Sequence, residues 1–232
     1  MCRFESDPGH HNLGSTLHTS LSKSSIALAI GLSGLAGYVD AIGFLELKGY
    51  FVSFMSGNST RMVVELVSGN TPHATLVAGI IFFFVLGSMI GTFVSRLADP
   101  SRQSFNVLLL VTLLLMSAAF LNNNGHPAIA IAFMTLAMGA ENAVFQRNGD
   151  VMVGLTYMTG TLVKIGQRIA DAALGGDKLA WLPYVLLWLG LIMGGATGVI
   201  FFQLIDLASI WIAVFWAATL TFTIKFFPIQ YS

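Results

Sequence analysis

One acidic side chain lies inside an otherwise apolar stretch near the start of this 232-residue chain. Asp40 falls within residues 25–46, a run long enough to form a membrane helix. An aspartate at the middle of such a helix costs about 2.5–3.5 kcal/mol, so these residues usually face a cavity or a partner. We expect Arg61 or Lys164 to be the partner. Asp40 is then either a ligand for a substrate or a proton, or half of a structural ion pair that docks a charged segment.

Two polar segments of the chain share a pattern of residue types. Shifted by 103 positions, residues 53–57 (SFMSG) align with residues 156–160 (TYMTG), and Arg61 aligns with Lys164. Glycine lets a backbone turn or approach closely. The hydroxyls offer hydrogen-bond donors and acceptors beside helix N-termini, which also attract anionic groups. The pattern predicts a site built from both segments, with Ser53, Ser56, Gly57, Asn58, Thr156, Thr159 and Gly160 as candidate residues.

An acid or an amide followed by alanine precedes each polar segment. Asp40-Ala41 comes before the first segment and Asn142-Ala143 before the second, so Asn142 is a further candidate site residue. Its neighbour Glu141 is expected to extend toward the membrane surface or to pair with Arg147. A functional role for Glu141 is the alternative.

The composition identifies the class of protein that must position these residues. Charged side chains make up 9% of the chain and hydrophobic ones 55%, whereas a typical soluble domain is about 25% charged. The formal net charge is zero, which provides no field for binding nucleic acid. These values predict an integral membrane protein and exclude a soluble enzyme. The five histidines fall in the predicted N-terminal tail or in predicted loops, so we expect no catalysis, metal or cofactor.

Six apolar stretches long enough to cross a bilayer follow a polar cytoplasmic tail, residues 1–24. They are residues 25–46, 74–95, 105–122, 127–146, 182–204 and 209–227. Two less apolar segments, residues 51–68 and 154–174, are predicted to be re-entrant or interfacial helices. This six-span topology places nine Lys and Arg residues inside the cell and two outside. With eight spans, the loops and tails would hold four of these residues inside and four outside. Because cytoplasmic loops normally carry an excess of Lys and Arg, six spans are favoured. The predicted fold is therefore all-α, with six transmembrane helices and both termini cytoplasmic.

The spans group into two repeats, residues 25–122 and 127–227, each with one charged segment and one glycine-containing helix. Three crossings per repeat is an odd number, so the second copy must be inverted relative to the first. Inverted repeats recur in transporters, where substrate is handled between the copies. The glycines lie four residues apart and predict a close-packed seam within each repeat, or a homodimer contact; they are Gly87 and Gly91, and Gly190, Gly194 and Gly198.

The motifs resemble those of a known family. Residues 37–41 (GYVDA) and 51–58 (FVSFMSGN) resemble the first-half signature of the YoaK family, and residues 141–143 (ENA) and 156–161 (TYMTGT) are similar to its second-half signature. The resemblance extends over nearly all of residues 26–227, although the family commonly has glutamine in place of Glu141. It implies a multi-pass protein of a bacterial inner membrane, in a family grouped under a domain of unknown function, and supplies neither a reaction nor a substrate.

These features predict a small-solute transporter or channel-like permease, surrounded by membrane lipid and without a nucleic-acid partner. A small polar solute would bind between the repeats. Asp40 is the expected ligand or proton carrier, and Arg61 and Lys164 are expected to set its charge state and to gate access. A non-transporting membrane scaffold or sensor, whose polar residues only hold its own helices together, is the alternative.

Overall fold

The computed structural model describes residues 23–147, 150–151 and 158–226, and the predicted tail falls almost entirely outside these ranges. The described residues form eight α-helices, one 3₁₀ turn (Asp206–Ser209) and two short strands. The helices are α1 (Lys23–Glu46), α2 (Met55–Val67), α3 (Thr71–Leu97), α4 (Gln103–Asn123), α5 (Pro127–Glu141), α6 (Met158–Ala173), α7 (Leu182–Ile205) and α8 (Ile210–Phe226). The strands β1 (Gln146–Arg147) and β2 (Asp150–Val151) pair antiparallel.

Long apolar helices dominate the fold, as predicted. Four stretches of the described chain are long and apolar enough to cross a membrane: α1, α3, α4 and the 45-residue stretch Leu182–Phe226. The last of these contains both α7 and α8, which the 3₁₀ turn separates at Asp206, where φ is +50°. Helix α5 is apolar but shorter, with 15 residues. The chain is therefore an all-helical membrane protein in its main architecture.

One predicted helix ends early. The helix expected over residues 127–146 ends at Glu141, and residues 142–145 form turns instead. The amide of Val144 donates to the carbonyl of Glu141, three residues back, which is a turn and not an α-helical bond. Ala143, Val144 and Phe145 are nonetheless buried. Their apolar character therefore reflects burial of the turn rather than continuation of the helix, and composition alone cannot distinguish the two.

Helices α2 and α6 occupy the two charged segments. They begin at Met55 and Met158, which are the equivalent methionines of the two motifs. Both helices are short, with 13 and 16 residues, and neither is among the stretches that could cross a membrane by length and composition. Their predicted helical character is confirmed, and residues 152–157, which precede α6, lie outside the described residues.

The buried core lies mainly between α1, α4, α5 and α8. Within its most apolar window α1 is 67% buried, against 22% for α3 and 17% for Leu182–Phe226. Large apolar side chains are left exposed on α3 and α7, among them Phe82, Phe93 and Met193. Exposed apolar faces of this extent are typical of a surface that contacts lipid.

We refer to α1–α4 and α5–α8 as the two halves of the chain. The first helix of each half packs against the glycine-containing helix of the other half. Helix α1 lies on α7, and α5 lies on α3. A Cβ atom at Gly194 would meet the carbonyl oxygen of Gly34, and one at Gly87 would meet that of Leu136. Close backbone approach between membrane helices requires small residues at such positions. The predicted close packing at these glycines is confirmed, and the seams join one half of the chain to the other.

Candidate functional site

Asp40 binds the backbone of the segment that leads into α2. Its Oδ1 accepts hydrogen bonds from the amides of Val52 at 2.9 Å and Ser53 at 2.8 Å. The side chain of Ser53 also hydrogen-bonds Asp40. These amides lie outside any helix or strand, where a buried N–H must find another acceptor. Asp40 thus fastens the start of the first motif to α1.

The predicted ion pair between Asp40 and Arg61 or Lys164 is wrong for the described residues. The guanidinium carbon of Arg61 lies 5.8–5.9 Å from three ring centroids, those of Phe44, Tyr50 and Phe51. The Nζ of Lys164 lies 5.6 Å from the ring centroid of Tyr184. Aromatic faces attract cations at these distances. Asp40 therefore docks the charged segment through backbone amides. Arg61 contacts three aromatic rings instead, and Lys164 contacts one.

Asn58 holds the same segment from α2. Its side chain is fully buried and pairs with the backbone of Phe51 in both directions. The amide of Phe51 donates to Oδ1 at 3.0 Å, and Nδ2 donates to the carbonyl of Phe51 at 2.6 Å. A neighbouring strand would offer the same two bonds. Asp40 from α1 and Asn58 from α2 together fix residues 51–53, so both act in positioning the motif.

A polar cluster that the sequence does not single out joins this segment to α2 and α3. Its His73, which the sequence predicted to lie in a loop, lies in the first turn of α3. The hydroxyl of Tyr50 lies 2.7 Å from Oε1 of Glu65 and 2.9 Å from Nδ1 of His73, and Asn70 donates to Oε2 of Glu65 at 2.7 Å. An ionised carboxylate only accepts, so Tyr50 donates to Glu65 and Nδ1 of His73 donates to Tyr50. The bond from Tyr50 is the main cause that lowers the pKa of Glu65, while burial raises the pKa of Tyr50.

The hydrogen bond between Tyr50 and Glu65 is expected to make the stability of the folded protein depend on pH in the acidic range. Because the pKa of Glu65 is lower in the folded state than its ordinary value of 4.5, its contribution is present above that value and is lost as the pH falls through the folded-state pKa. Tyr50→Phe removes the donor and keeps the ring beside Arg61. We expect its melting temperature in detergent to fall less with acidification than that of the wild type.

Tyr184→Phe is the matched control for this experiment, because Tyr184 lies beside bases, Lys164 and Arg168, instead of a carboxylate. It should keep the wild-type dependence on acid. Parallel melting curves for Tyr50→Phe and the wild type across the acidic range would show that this hydrogen bond makes no pH-dependent contribution.

The two motifs meet across one cavity of about 200 Å³, which we call the motif cavity. The first half contributes residues 53–56 and Phe84, and the second half contributes Met158, Thr159 and Gly160. The cavity lies at the first turns of α2 and α6, where free N–H groups carry partial positive charge. No charged side chain occurs in its described lining. Ser53, Ser56, Thr159 and Gly160 are therefore the predicted residues that the fold brings together.

The two equivalent glycines have different surroundings. A Cβ atom at Gly57 would lie against the ring of Phe54, so glycine is what allows this ring to cover the first turn of α2. Gly160 lines the motif cavity, and no described atom lies within 4 Å of its Cβ position. Among the described residues, a close approach is found at Gly57 and not at Gly160.

The other predicted residues lie apart from the motif cavity or outside the described chain. Asn142 is buried after α5, and its Nδ2 donates to the carbonyl of Met138 at 3.0 Å. Thr156 lies outside the described residues. Glu141 is fully buried, so the expectation that it extends toward the membrane surface is wrong. Its expected pairing with Arg147 involves a side chain outside the described part of the chain.

Comparison with known proteins confirms the family resemblance found from the motifs. The family model described as "Protein of unknown function (DUF1275)" matches residues 28–223. The chain is 36% identical over 200 residues to the UPF0700 transmembrane protein RA0705 of Rhizobium meliloti (strain 1021), and the match covers 86% of each chain. No solved structure matches the chain. The chain therefore belongs to the DUF1275 family of membrane proteins.

Proposed function

We propose that this protein is a permease for a small polar solute and that the motif cavity is its solute site. The observation that carries the proposal is that the same motif, once from each half, lines a single cavity. At about 200 Å³ the cavity is smaller than the roughly 300–1,000 Å³ of pockets for drug-sized ligands. The hydroxyls of Ser56 and Thr159 supply donors and acceptors. The proposal includes no chemical reaction and no cofactor.

The proposal further assigns the chain two inverted halves, residues 25–122 and 127–227. The packing between the halves supports an inverted repeat. Helix α1 packs on α7, and its counterpart α5 packs on α3. Helix α4 contacts α5, and correspondingly α8 contacts α1. A two-fold relation between the halves produces such matched pairs. In this arrangement α2 and α6 enter from opposite faces, and each directs its N-terminus to the motif cavity between the halves.

Six membrane-spanning helices and a bacterial inner-membrane location complete the proposal. The spans are α1, α3, α4, α5, α7 and α8, with α5 extended by the buried turn at residues 142–145. Both termini are cytoplasmic, because this orientation places nine Lys and Arg residues inside and two outside. Reporter fusions near Asn123 and Asp206 should then report the outside of the cell, and a fusion near Asp177 the inside.

Filling the motif cavity tests the permease. Gly160→Leu directs a large side chain into open space at the lining, whereas Gly166→Leu adds the same side chain to the same helix outside the cavity, also with no described atom within 4 Å of its Cβ position. Proteoliposomes are challenged with glycerol, urea or glycine and followed by stopped-flow light scattering. We expect at least one solute to enter wild-type vesicles faster than empty ones. Gly160→Leu should return its entry to the empty-vesicle rate, and Gly166→Leu should not.

The bonding of Asp40 and Asn58 favours the second candidate function, a membrane scaffold or sensor that transports nothing. Both side chains are used within the chain, on the amides of Val52 and Ser53 and on the backbone of Phe51. The same experiment separates the two functions. If solutes enter wild-type and Gly160→Leu vesicles at one common rate, the motif cavity is not a solute pathway and the scaffold is the better description.

A further inference from the structure

Glu141 is enclosed completely at the C-terminal end of α5. Its relative exposure is 0%, and neither carboxylate oxygen has a hydrogen-bond partner among the described residues. Asp40 differs in this respect, because two amides and the Ser53 side chain bind it. An ionised carboxylate buried without a partner is so costly that in practice the group becomes neutral instead.

No described cation compensates the Glu141 carboxylate. Helix α5 packs against α1, α3 and α4, and α4 contains no charged residue. The titratable residues of the other two helices are Lys23, Tyr38, Asp40 and Glu46 on α1, and His73 and Arg96 on α3. None of those in the described part hydrogen-bonds Glu141. The next charged residues along the chain, Arg147 and Asp150, have side chains outside the described part.

We infer that Glu141 is a proton-binding site inside the helix bundle and that its carboxyl group holds a proton at neutral pH. The site adjoins the interface between the two halves, because the preceding residue, Ala140, packs against Gly91 of α3. Release of the proton places a negative charge beside this tightly packed interface, where no described group donates a hydrogen bond to the carboxylate. The inference rests on burial and missing partners, and it does not depend on the permease proposal.

Infrared spectroscopy of the purified protein tests the inference without any transport assay. A maltoside detergent is used, because it lacks the ester carbonyl of lipids that would overlap the carbonyl band of a protonated carboxylic acid. We expect the wild type to show this band at neutral pH and Glu141→Gln to lose it. Glu65→Gln is the matched control: Glu65 accepts bonds from Tyr50 and Asn70, so this variant should lose carboxylate absorption and keep the acid band.

The result that overturns the inference is loss of carboxylate absorption in Glu141→Gln, with the acid band unchanged, as expected for the Glu65→Gln control. Glu141 would then be ionised, and Arg147 would be the cation to examine. Because Gln matches neutral Glu in shape and charge, Glu141→Gln should fold, and its melting curve checks this. A pH titration of the wild type needs no variant: the acid band should persist at neutral pH and disappear at alkaline pH, and its absence at neutral pH overturns the inference.

Discussion

Gly194→Ala is expected to lower the melting temperature of the purified protein, whereas Gly195→Ala should leave it unchanged or raise it. A Cβ atom at position 194 would meet the carbonyl oxygen of Gly34 in α1, so the two helices must separate. At position 195 the nearest atom, the carbonyl oxygen of Gly37, lies 3.6 Å away, which is ordinary contact. Overpacking a well-packed interface costs about 1–3 kcal/mol, while alanine by itself favours a helix by about 1 kcal/mol over glycine.

The comparison can be repeated at the other interface between the halves. A Cβ atom at Gly139 of α5 would meet the carbonyl oxygen of Phe84 in α3, whereas the Cβ position at Gly79 of α3 has no described atom within 4 Å. Thermal melting in one detergent, with size-exclusion profiles as a check on folding, measures all four alanine variants. Equal melting temperatures for Gly194→Ala and Gly195→Ala would contradict the close approach of α1 and α7.

Asp40→Ala is expected to destabilise the protein by a similar or larger amount, and Asp40→Asn by much less. Alanine leaves the amides of Val52 and Ser53 without an acceptor, and both residues are buried, so water cannot readily replace Asp40. Each buried donor left unpaired costs about 1–3 kcal/mol. Asparagine retains an oxygen at the Oδ1 position and gives up only the additional strength of a charged acceptor.

Melting temperatures of the two Asp40 variants measure this difference, and hydrogen exchange at Val52 and Ser53 shows whether the segment has detached. A wild-type melting temperature for Asp40→Ala would mean that the hydrogen bonds to Asp40 contribute nothing to stability. Uptake by Asp40→Asn proteoliposomes then tests the role expected from the sequence. If the variant is folded and transports at the wild-type rate, Asp40 positions the motif and is not a solute ligand.

The hydrogen-bond partners of the polar side chains could not be predicted from the sequence. Asp40 was correctly identified as requiring a partner, but the candidates were other charged side chains because only those can be recognised in a sequence. Backbone amides are present at every residue except proline, so nothing in the residue types marks Val52 and Ser53 as donors. The cluster of Tyr50, Glu65 and His73 was missed for a related reason. Its members lie in a loop and in two different helices, so no single periodic segment contains them, and they meet only because these three elements converge.

The burial of Glu141 likewise could not be predicted from the sequence. The sequence places it at the end of an apolar stretch, where a long acidic side chain ordinarily extends to the membrane surface or pairs with a nearby base. In the structure, α5 ends at Glu141 and the apolar turn at residues 142–145 lies beyond it. Helix α5 also packs against α1, α3 and α4. The extent of burial depends on these neighbours, which the local pattern does not contain.

The membrane class, the positions of the long helices and the equivalence of the two motifs could all be predicted from the sequence, because apolar composition and repeated residue types are local properties. The folded chain was needed to show that the two motifs share one cavity and that the glycine seams join opposite halves. It was also needed to show that Asp40 binds amides while Arg61 contacts aromatic rings. Each of these depends on which residues, distant in the chain, come within a few ångströms. That outcome follows from how all the helices pack together and from no single segment.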